Sequence, residues 1–589
     1  MGATFLTVKP FSNVFYSVVK RHLAVVTIAA GWLLGNPMLH AADRHSPSFI
    51  VRFEPIMVNG RNAFHVIESF RPQQPETEIV IPTHWGGADH LEHQTQNLKI
   101  ESPGSTLTDQ PTNAGHKILL ARAGNQVRVS YDIVPQQTQW FQHPQEHMAI
   151  INTDYFLFNP QNALVYPKMP LSGKVKVTFD WRALPSNISI ITSFGIIRGS
   201  ERHRVTSVTT SWIEILDGLL AGGNFRLSES KANGTRVVLA ARGIWRFSDS
   251  EVLKDVQRTV DEENQFWRDK PMPYFLVTLA PFDRRTGDND GSGFTNAYML
   301  FLSHEDTMDA QRLQLMAHEM FHHWNPMSMG TLGTDDVAQW FSEGFTVYYA
   351  DVIPLRSGIT SYSDYLHSLN DWLRHYQLSP LRNMNEADWK SASYSSGEGY
   401  SLPYKRGAAI ALWADAAIRA RSSGKSSLDN VMFDLVRQSE TQIPVPEFTE
   451  QRVLAAFSPY LSEDQMQQLR NMAIAGADVP LPEKLGGCAI LEKQIQSVVD
   501  PGFDQNASFA AKRVIGVVND GPAYRAGIRD GQELFRWSIY NDDPSKDALL
   551  GVVIDGQKRM VTFSPVKQAP LEQYRSSVTA EAAKGCTPF

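Results

Sequence analysis

The sequence predicts a multidomain α+β protein with a β-rich amino-terminal domain, a mostly helical middle domain and a small strand-rich carboxyl-terminal domain. The length of 589 residues allows several domains of ordinary size. Short β-branched or alternating segments separated by Gly, Pro, Asn and Asp dominate the first part, whereas helical periods dominate from about residue 245. A Pro- and Gly-bearing stretch at 476–487 is typical of a linker before the last segment.

The β-rich part is predicted to be a sandwich-like domain over residues 43–243. Its clearest strand patterns lie at 48–53, 127–131 and 175–179. The middle domain, 244–480, carries two further strand patterns, near 274–279 and 298–302. Composition is globular, with 42% apolar and 20% charged residues. A formal net charge of −7 leaves no basic surface for nucleic acid, which is excluded as a partner.

The first 42 residues have the pattern of a signal peptide. Basic residues precede an apolar run at 23–34, and small residues at 41–42 offer a cleavage site. This predicts an exported protein, periplasmic or secreted, with an uncleaved membrane anchor as the alternative. The run is shorter than the roughly 20 residues needed to span a bilayer. No later stretch is apolar enough, so no stable membrane span is expected after cleavage.

The motif HEMFH at 318–322 carries the chemistry. Apolar residues around it recur at helical spacing, and a helix brings positions i and i+4 to one face. His318 and His322 can therefore bind one metal ion, while Glu319 lies where it can act as general base on a bound water. Ser303 and Asp306 are predicted to cap this helix as a capping box.

A catalytic zinc site needs a third protein ligand and an open position. Glu343, 21 positions beyond His322, is the candidate, presented by a second helix that starts near 335–336. The prediction is one zinc ion per chain. Asp351 and Asp336 are candidates for orienting a ligand histidine.

Three segments resemble the glycyl aminopeptidase family, which are gluzincin zinc metallopeptidases. They are HEMFHHWN at 318–325, WFSEGFT at 340–346 and LPYKRGA at 402–408, in the family's order and spacing. The zinc motif is shared by many families, whereas the second segment is much more specific to this family. The resemblance implies a β-rich front domain, a thermolysin-like catalytic domain, a carboxyl-terminal PDZ domain, and peptide or protein substrates.

The third segment adds a second catalytic residue through this resemblance. In similar enzymes its tyrosine, here Tyr404, donates a hydrogen bond to the developing oxyanion. Pro403 is predicted in the first turn of a helix that continues to Arg419.

One departure from the family concerns substrate binding, which the resemblance assigns to Gly293, Thr295 and Asn296. Thr295 stands where related aminopeptidases carry an acid that binds the substrate's free amine. Asp288 or Asp290 could supply that charge, or they could form a solvated acidic turn. The same turn superficially resembles a calcium-binding loop. Such a loop carries a glutamate at its twelfth position, where this sequence has Met299, so calcium is not expected.

The last segment, 485–577, looks like a PDZ domain, with the signature DGPAYRAGIRDGQEL at 520–534. The loop at 501–504 would bind a peptide carboxylate, with Phe503 lining a pocket. Either this domain binds peptides or it only packs on the catalytic domain.

The only two cysteines, Cys488 and Cys586, lie at the two edges of this last domain. PDZ-like domains have adjacent termini, so we expect a disulfide, with two independent thiols as the alternative. His84, His90 and His93 cluster in the β-rich domain, where packing or surface roles are expected rather than a metal site.

The predicted reaction is hydrolysis of peptide bonds, with aminopeptidase-like preference for small amino-terminal residues, by Glu-assisted attack of a zinc-bound water. The alternatives are an endopeptidase or a dipeptide-releasing peptidase on the same scaffold. A third possibility is a catalytically inactive periplasmic scaffold that binds peptides.

Overall fold

A long antiparallel hairpin, β1 (Ser48–Val58) and β2 (Arg61–Phe70), begins the β-rich region. In the computed structural model, described residues run from 47 to 587, with gaps at 87, 111–114, 137–146, 283–288, 333–337, 393–396, 443 and 541–542. The predicted signal peptide lies outside these residues. The region continues with β3 (Glu76–Val80), β4 (His84–Trp85), β5 (Ala88–Asp89), β6 (Thr95–Ile100), β7 (Thr106–Asp109), β8 (His116–Leu120), β9 (Val127–Ile133), β10 (Ile150–Ile151), β11 (Tyr155–Phe158), α1 (Pro160–Ala163), β12 (Tyr166–Pro167), β13 (Lys174–Asp180), β14 (Ser189–Thr192), β15 (Gly195–Ile197), β16 (Val205–Ser211), α2 (Trp212–Leu216) and β17 (Leu220–Gly223).

These strands form a six-stranded sheet of order β16-β13-β1-β2-β9-β6, a five-stranded sheet of order β10-β11-β17-β14-β15 and a four-stranded sheet of order β12-β3-β8-β7. The three sheets share one apolar core, because alternate residues of each strand point inwards. Within it, Phe53 stacks on Trp181 with ring centroids 4.6 Å apart. The prediction of a β-rich amino-terminal region is confirmed.

A second five-stranded sheet follows, of order β18-β19-β20-β22-β21. Its elements, with the helix that packs on them, are β18 (Arg226–Ala232), β19 (Thr235–Ala241), α3 (Asp249–Trp267), β20 (Tyr274–Pro281), β21 (Asn289–Phe294) and β22 (Ala297–Leu302). The sheet begins at Arg226, so two of its strands precede the predicted domain boundary at 243. The edge strand β21 runs antiparallel to β22.

The helical part packs against this sheet. It comprises α4 (Ala310–Phe321), β23 (Thr331–Leu332), α5 (Gln339–Ser342), α6 (Gly344–Arg356), α7 (Tyr362–Leu378), α8 (Glu386–Ala392), α9 (Gly397–Ser422), α10 (Leu428–Thr441), β24 (Glu447–Phe448), α11 (Glu450–Ala456) and α12 (Glu463–Ala473). Helix α6 lies at the centre, with every residue from Gly344 to Leu355 buried, as expected of a helix that is apolar on all sides. The predicted helical middle region is confirmed.

The carboxyl-terminal part contains two three-stranded sheets, β25-β26-β30 and β27-β28-β29. Its elements are β25 (Lys484–Leu485), β26 (Ala489–Val499), α13 (Gln505–Ala511), α14 (Pro522–Arg525), β27 (Leu534–Ser538), β28 (Ala548–Ile554), β29 (Gln557–Phe563), β30 (Val566–Ser576) and α15 (Ala580–Ala583). The expected disulfide is present, with the Cα atoms of Cys488 and Cys586 6.0 Å apart.

One prediction for this part is wrong. Phe503 does not line an open pocket, because it is 7% exposed and packs in the apolar core of the carboxyl-terminal part. The loop at 501–504 leads directly into α13, whose first turn Asp504 caps by accepting from the Ala507 N–H. Among the described residues, no helix is long and apolar enough to cross a membrane.

Candidate metal centre and cleft

Helix α4 carries the two histidines. It begins after Asp309, whose side chain accepts a hydrogen bond from the Arg312 N–H at 3.1 Å, and it buries Met316, Ala317, Met320 and Phe321. His318 lies in its last turn, and His322 follows as the C-cap in helical conformation. The imidazoles therefore project on the same side, as the i, i+4 spacing predicts.

The predicted capping box upstream of α4 is wrong. The Ser303 N–H donates to Asp306, and Asp306 is paired with the buried Arg312 at 2.7 Å. These residues form a turn ahead of the helix, and Asp309 is the N-cap instead. Asp309, three residues after Asp306, caps the helix because its side chain reaches the N–H of the third helical residue.

Glu343 stands between α5 and α6, so it faces the end of α4 from the central helix. Its Oε2 atom lies 3.5 Å from Nε2 of His318 and 3.4 Å from Nε2 of His322. The two ring nitrogens are 3.1 Å apart. Within the described part of the chain, these three residues form the one cluster of His, Cys, Asp or Glu side chains with metal-ligand spacing.

The cluster fits zinc. With bonds of about 2.0–2.1 Å, a tetrahedral zinc ion separates its donor atoms by about 3.3–3.4 Å, close to all three distances. The Glu343 Oε2 atom is buried and accepts no hydrogen bond from any described residue. Burial opposes ionisation of Glu343, but the two imidazoles outweigh it and hold the carboxyl pKa below its usual range. In turn, although burial favours the neutral ring, Glu343 raises the pKa of His322 to about 9, whereas burial lowers the pKa of His318.

Asn325 supports this cluster from behind. Its carbonyl accepts from Nδ1 of His322 at 2.9 Å, which leaves Nε2 directed at the cluster. Its fully buried side-chain amide donates to the carbonyls of Phe341 and Ser342, each at 3.2 Å, and lies 3.1 Å from Oγ1 of Thr346. One residue thus connects the histidine helix to the segment that carries Glu343. The predicted orienting residue Asp351 instead accepts from Ser368 and Trp372, and Asp336 lies outside the described residues.

Glu319 is buried beside the cluster, under the edge strand β21. A Cβ atom added at Gly291 would lie 2.7 Å from Oε1 of Glu319, and one at Gly293 would lie 2.9 Å from Cβ of His322. Glycines at both positions therefore let β21 approach α4 closely. Burial raises the pKa of Glu319 to about 8, opposed in part by His322 and by a backbone hydrogen bond from Gly293.

Tyr404 lies on α9 with its ring stacked on His318, centroids 5.9 Å apart. Its hydroxyl is 3.4 Å from that of Tyr400, one helical turn earlier and absent from the predicted site. The prediction for Pro403 is wrong, because α9 begins at Gly397 and Pro403 lies inside it. Pro403 has no N–H for the Gly399 carbonyl, and the indole N–H of Trp389 donates to that carbonyl at 2.7 Å instead.

The predicted substrate-binding residues separate. Gly293 lines the cleft, but Thr295 and Asn296 form the turn between β21 and β22. Thr295 is 9% exposed and its N–H donates to the Asp217 carbonyl, while Asn296 has φ of 51° and accepts from Leu276. Neither lines the cleft, because β21 ends at Phe294.

Two further residues lie at the cleft. The sequence offered Asp290 only as one of two alternatives, and it gave no indication of His147. Asp290 lies on β21 and lines the cleft, whereas Asp288 is outside the described residues. The buried His147 comes from the β-rich region, with its Nε2 atom 3.8 Å from Asp290 and 3.4 Å from Oγ of Ser292. Its Nδ1–H donates to the Gly86 carbonyl. No sequence pattern singled out His147.

These groups open into a cavity of about 480 Å³. A second cavity of about 820 Å³ shares the walls Gln311, Gln314, Val347 and Lys405 with it and continues to β26. The three histidines of the β-rich region lie elsewhere: His84 pairs with Asp89, and His90 stacks on His93.

Residues 311–415 match the family model of M61 glycyl aminopeptidase. The resemblance inferred from the sequence is confirmed for this stretch, which contains the three donors, Glu319 and Tyr404. Comparison with curated protein sequences found no match.

One solved structure has a similar fold over most of the chain. An aminopeptidase N family protein from Idiomarina loihiensis matches with a TM-score of 0.65 and 17% identity, covering 91% of this chain and 99% of its own. An M1 zinc metallopeptidase from Deinococcus radiodurans matches with a TM-score of 0.48 and 15% identity, covering 74% of this chain and 96% of its own. The first of these likenesses shows an aminopeptidase N-like fold.

Proposed function

We propose that this chain is a zinc-dependent peptidase that hydrolyses peptide bonds in polypeptide substrates. One observation carries the proposal: three donor atoms of His318, His322 and Glu343 lie 3.1–3.5 Å apart at the wall of an open cleft, beside the carboxyl group of Glu319. The M61 match over residues 311–415 supports it.

In this proposal, His318, His322 and Glu343 hold one zinc ion per chain. When bound, zinc supplies a Lewis acid that polarises a carbonyl group and makes water acidic near neutral pH. Glu319 accepts the proton of the attacking water and passes it to the leaving amine. Tyr404 donates its O–H to the oxygen that becomes negative in the transition state, and Gly291–Gly293 of β21 positions the substrate backbone along the cleft.

We further propose a preference for a free amino terminus. The carboxylate of Asp290 lies in the cleft where the β-rich region closes it with Trp85, Gly86 and His147, so a substrate amine has an acidic partner there. The second candidate is an endopeptidase or a dipeptide-releasing peptidase, which the second cavity favours because the cleft continues beyond the metal site. An inactive peptide-binding scaffold would have no use for Glu319 and Tyr404 at these positions.

Three variants test the proposed roles against Glu440→Gln, an exposed control on α10. Glu343→Ala should lose most of its zinc and keep its fold, while Glu319→Gln should keep zinc and lose hydrolysis. Tyr404→Phe should keep zinc and lower kcat by about 10²–10³, because it removes one donor to the transition state. Metal analysis and peptide hydrolysis are the measurements. Full zinc occupancy in Glu343→Ala, or undiminished turnover in Glu319→Gln, would reject the assignment.

The preferred end of the substrate is tested separately. Matched peptides with free and acetylated amino termini are digested and read by mass spectrometry. An aminopeptidase requires the free amine and releases single residues, whereas internal cuts in the acetylated peptides would establish the endopeptidase. Release of dipeptides would establish the remaining alternative.

The domain division and the cellular location are also proposals. We propose a catalytic domain that starts at Arg226, where its sheet begins, and ends near 480. The carboxyl-terminal domain over 485–577 is proposed to be PDZ-like, supported by its signature segment and by its own apolar core. Export after removal of residues 1–42 is proposed from the sequence pattern, and amino-terminal sequencing of the mature protein tests it.

A further inference from the structure

We propose that the exposed edge of β26 binds the carboxyl-side stretch of a polypeptide substrate as an added β-strand. This inference rests on the proposed peptidase function and extends it, because it assigns the substrate class as peptides long enough to reach from the metal site to the carboxyl-terminal part. Strand addition uses backbone hydrogen bonds, so it accepts many sequences.

The backbone of β26 has one paired side and one unpaired side. It pairs with β30 along its whole length, from Ala489 to Val499, but β25 covers only Ala489 and Ile490. The Leu491 N–H, on the β25 side, still finds the Glu483 carbonyl at 2.9 Å. Beyond Leu491, no strand of the described residues lies on that side.

The phase of the ladder identifies the outward groups. The backbone N–H and C=O groups of Leu491 point away from β30. Because these groups alternate in direction along an antiparallel strand, those of Lys493, Ile495 and Ser497 also point outwards. Ile495 lies opposite Pro570. Since Pro570 has no N–H that it could donate to Ile495, this pair agrees with backbone groups of Ile495 that point away from β30. Within the described residues, nothing pairs with the outward N–H and C=O groups of these three residues. Ile495 is also 68% exposed.

The opposite edge of the same sheet is closed. Asn370 and Gln377 of α7 each pair with both backbone groups of one β30 residue, Tyr574 and Glu572 respectively. The next outward position is Pro570. Coverage by a helix and proline at an edge both prevent unwanted strand pairing. Within the part of the chain that the structure describes, β26 contains no proline and no helix residue is hydrogen-bonded to its outward edge, which marks this edge as the side that can receive a strand.

This edge is continuous with the cleft. The second cavity is lined by Gln496 and Ser497 of β26 at one end and by Gln311, Gln314 and Val347 near the metal donors at the other. If the substrate's amine lies by Asp290, the β-rich region closes that end, and the carboxyl side must leave through the second cavity. The occupant of the edge is therefore the distal part of the substrate itself. The loop at 501–504 is a poorer candidate, since Phe503 is buried and the chain enters α13.

Proline substitutions test the edge without breaking the sheet. Ser497→Pro and Ile495→Pro each remove one outward N–H and leave the bonds to β30 in place. Ser497→Ala and Ile495→Ala are the matched controls, since they lose the same side chains but keep the N–H; Ser497→Ala also loses the bond from Gln568. The substrates are a dipeptide amide and an unstructured peptide of about ten residues, roughly 33 Å long when extended, with the same first two residues.

We expect the wild type to prefer the long peptide and each proline variant to lower the ratio of long to short kcat/KM by about five- to tenfold, the worth of one hydrogen bond. The alanine variants should keep the ratio. N-methylation of alternate distal residues in the long peptide should lower the same ratio for the wild-type enzyme. This test does not depend on whether a proline variant folds. An unchanged ratio in both proline variants, or no effect of N-methylation, overturns the proposal.

A binding measurement separates this inference from the proposed function. In the Glu319→Gln background, Ser497→Pro should weaken binding of the fluorescein-labelled long peptide, measured by anisotropy, by the same factor. If the wild type hydrolyses no peptide but this binding loss is seen, the function fails and the edge stands. If hydrolysis occurs and the ratio is unchanged, the edge fails and the function stands. Conversion of a dimer to a monomer by Ser497→Pro would show that the edge pairs two copies, which also overturns the proposal.

Discussion

At the scale of single residues, Asn325 joins the two segments that carry the candidate metal ligands. Its carbonyl orients His322, and its amide holds the carbonyls of Phe341 and Ser342 just before Glu343. The side chain is fully buried, so none of these bonds competes with water. The spacing of the three donor atoms therefore depends on a residue that touches no metal itself.

Asn325→Ala should weaken zinc binding by about 10–100-fold, the usual effect of losing a partner behind a metal ligand. The physical reason is that the carbonyls of Phe341 and Ser342 each lose the hydrogen bond from Asn325, so the α5–α6 junction loosens. Competition with a chelator measures the affinity. Ser328→Ala, which removes a bond to the carbonyl of His323 only, is the control. Equal zinc affinity in the two variants would contradict the role assigned to Asn325.

The sequence predicted the residues of this site better than their supports. The spacing of His318 and His322 predicts a shared face from helical geometry alone, and Glu343 followed from the need for a third ligand. The contacts of Asn325 and His147 could not be predicted, because they join segments distant in the chain; Ser292 and His147 are 145 positions apart. The error for Thr295 is local. It lies one position beyond the end of β21, and a shift of one position at a strand end decides whether a side chain faces the cleft.

At the scale of elements, two glycines, Gly407 inside α9 and Gly344 at the start of α6, let these helices cross closely. A Cβ atom at Gly407 would lie 2.0 Å from the Trp340 carbonyl oxygen and 2.8 Å from Cα of Gly344. Helix α9, which carries Tyr404, therefore packs directly on the α5–α6 segment that carries Glu343. The relative position of these two side chains depends on that backbone contact.

Gly407→Ala should destabilise the fold by about 1–3 kcal/mol or more, because backbone atoms cannot move aside as a flexible side chain does. It should also reduce zinc occupancy, since α9 must shift away from Glu343. Thermal unfolding and metal analysis measure both effects. The control is Gly487→Ala, where an added Cβ would meet nothing within 4 Å. A stability equal to that of the control would show that the helices can separate at no cost.

Elements with strong periodicity were predictable, and those that depend on partners were not. The strands β1, β9, β13, β20 and β22 appear where alternating or β-branched segments placed them. The edge strand β21 was not predicted, because its Gly-rich sequence carries no apolar alternation and its conformation depends on pairing with β22. Helix α9 starts earlier than expected because the indole of Trp389 satisfies the carbonyl that Pro403 leaves unpaired.

At the scale of the whole molecule, the carboxyl-terminal part is attached to the helical part through its own sheet. Helix α7 lies along β30, and Asn370 and Gln377 lie two helical turns apart on the same face. Each side-chain amide imitates a strand residue by accepting one N–H and donating to one C=O. The disulfide between Cys488 and Cys586 closes the same part on itself. The position of β26 relative to the cleft is thus determined by the contact between α7 and β30.

Replacing both amides, Asn370→Ala with Gln377→Ala, should loosen this attachment. The four hydrogen bonds have lengths of 2.7–2.9 Å, and their loss should lower the free energy of unfolding by about 2–4 kcal/mol. Hydrogen exchange should speed up at the N–H groups of Tyr574 and Glu572, which face α7. The N–H groups of Leu571 and Gln573 face β26 and provide an internal reference. Ser363→Ala, exposed on the same helix, is the matched variant. Unchanged protection at Tyr574 and Glu572 would mean that apolar packing, and not the amide pairs, holds the carboxyl-terminal part in place.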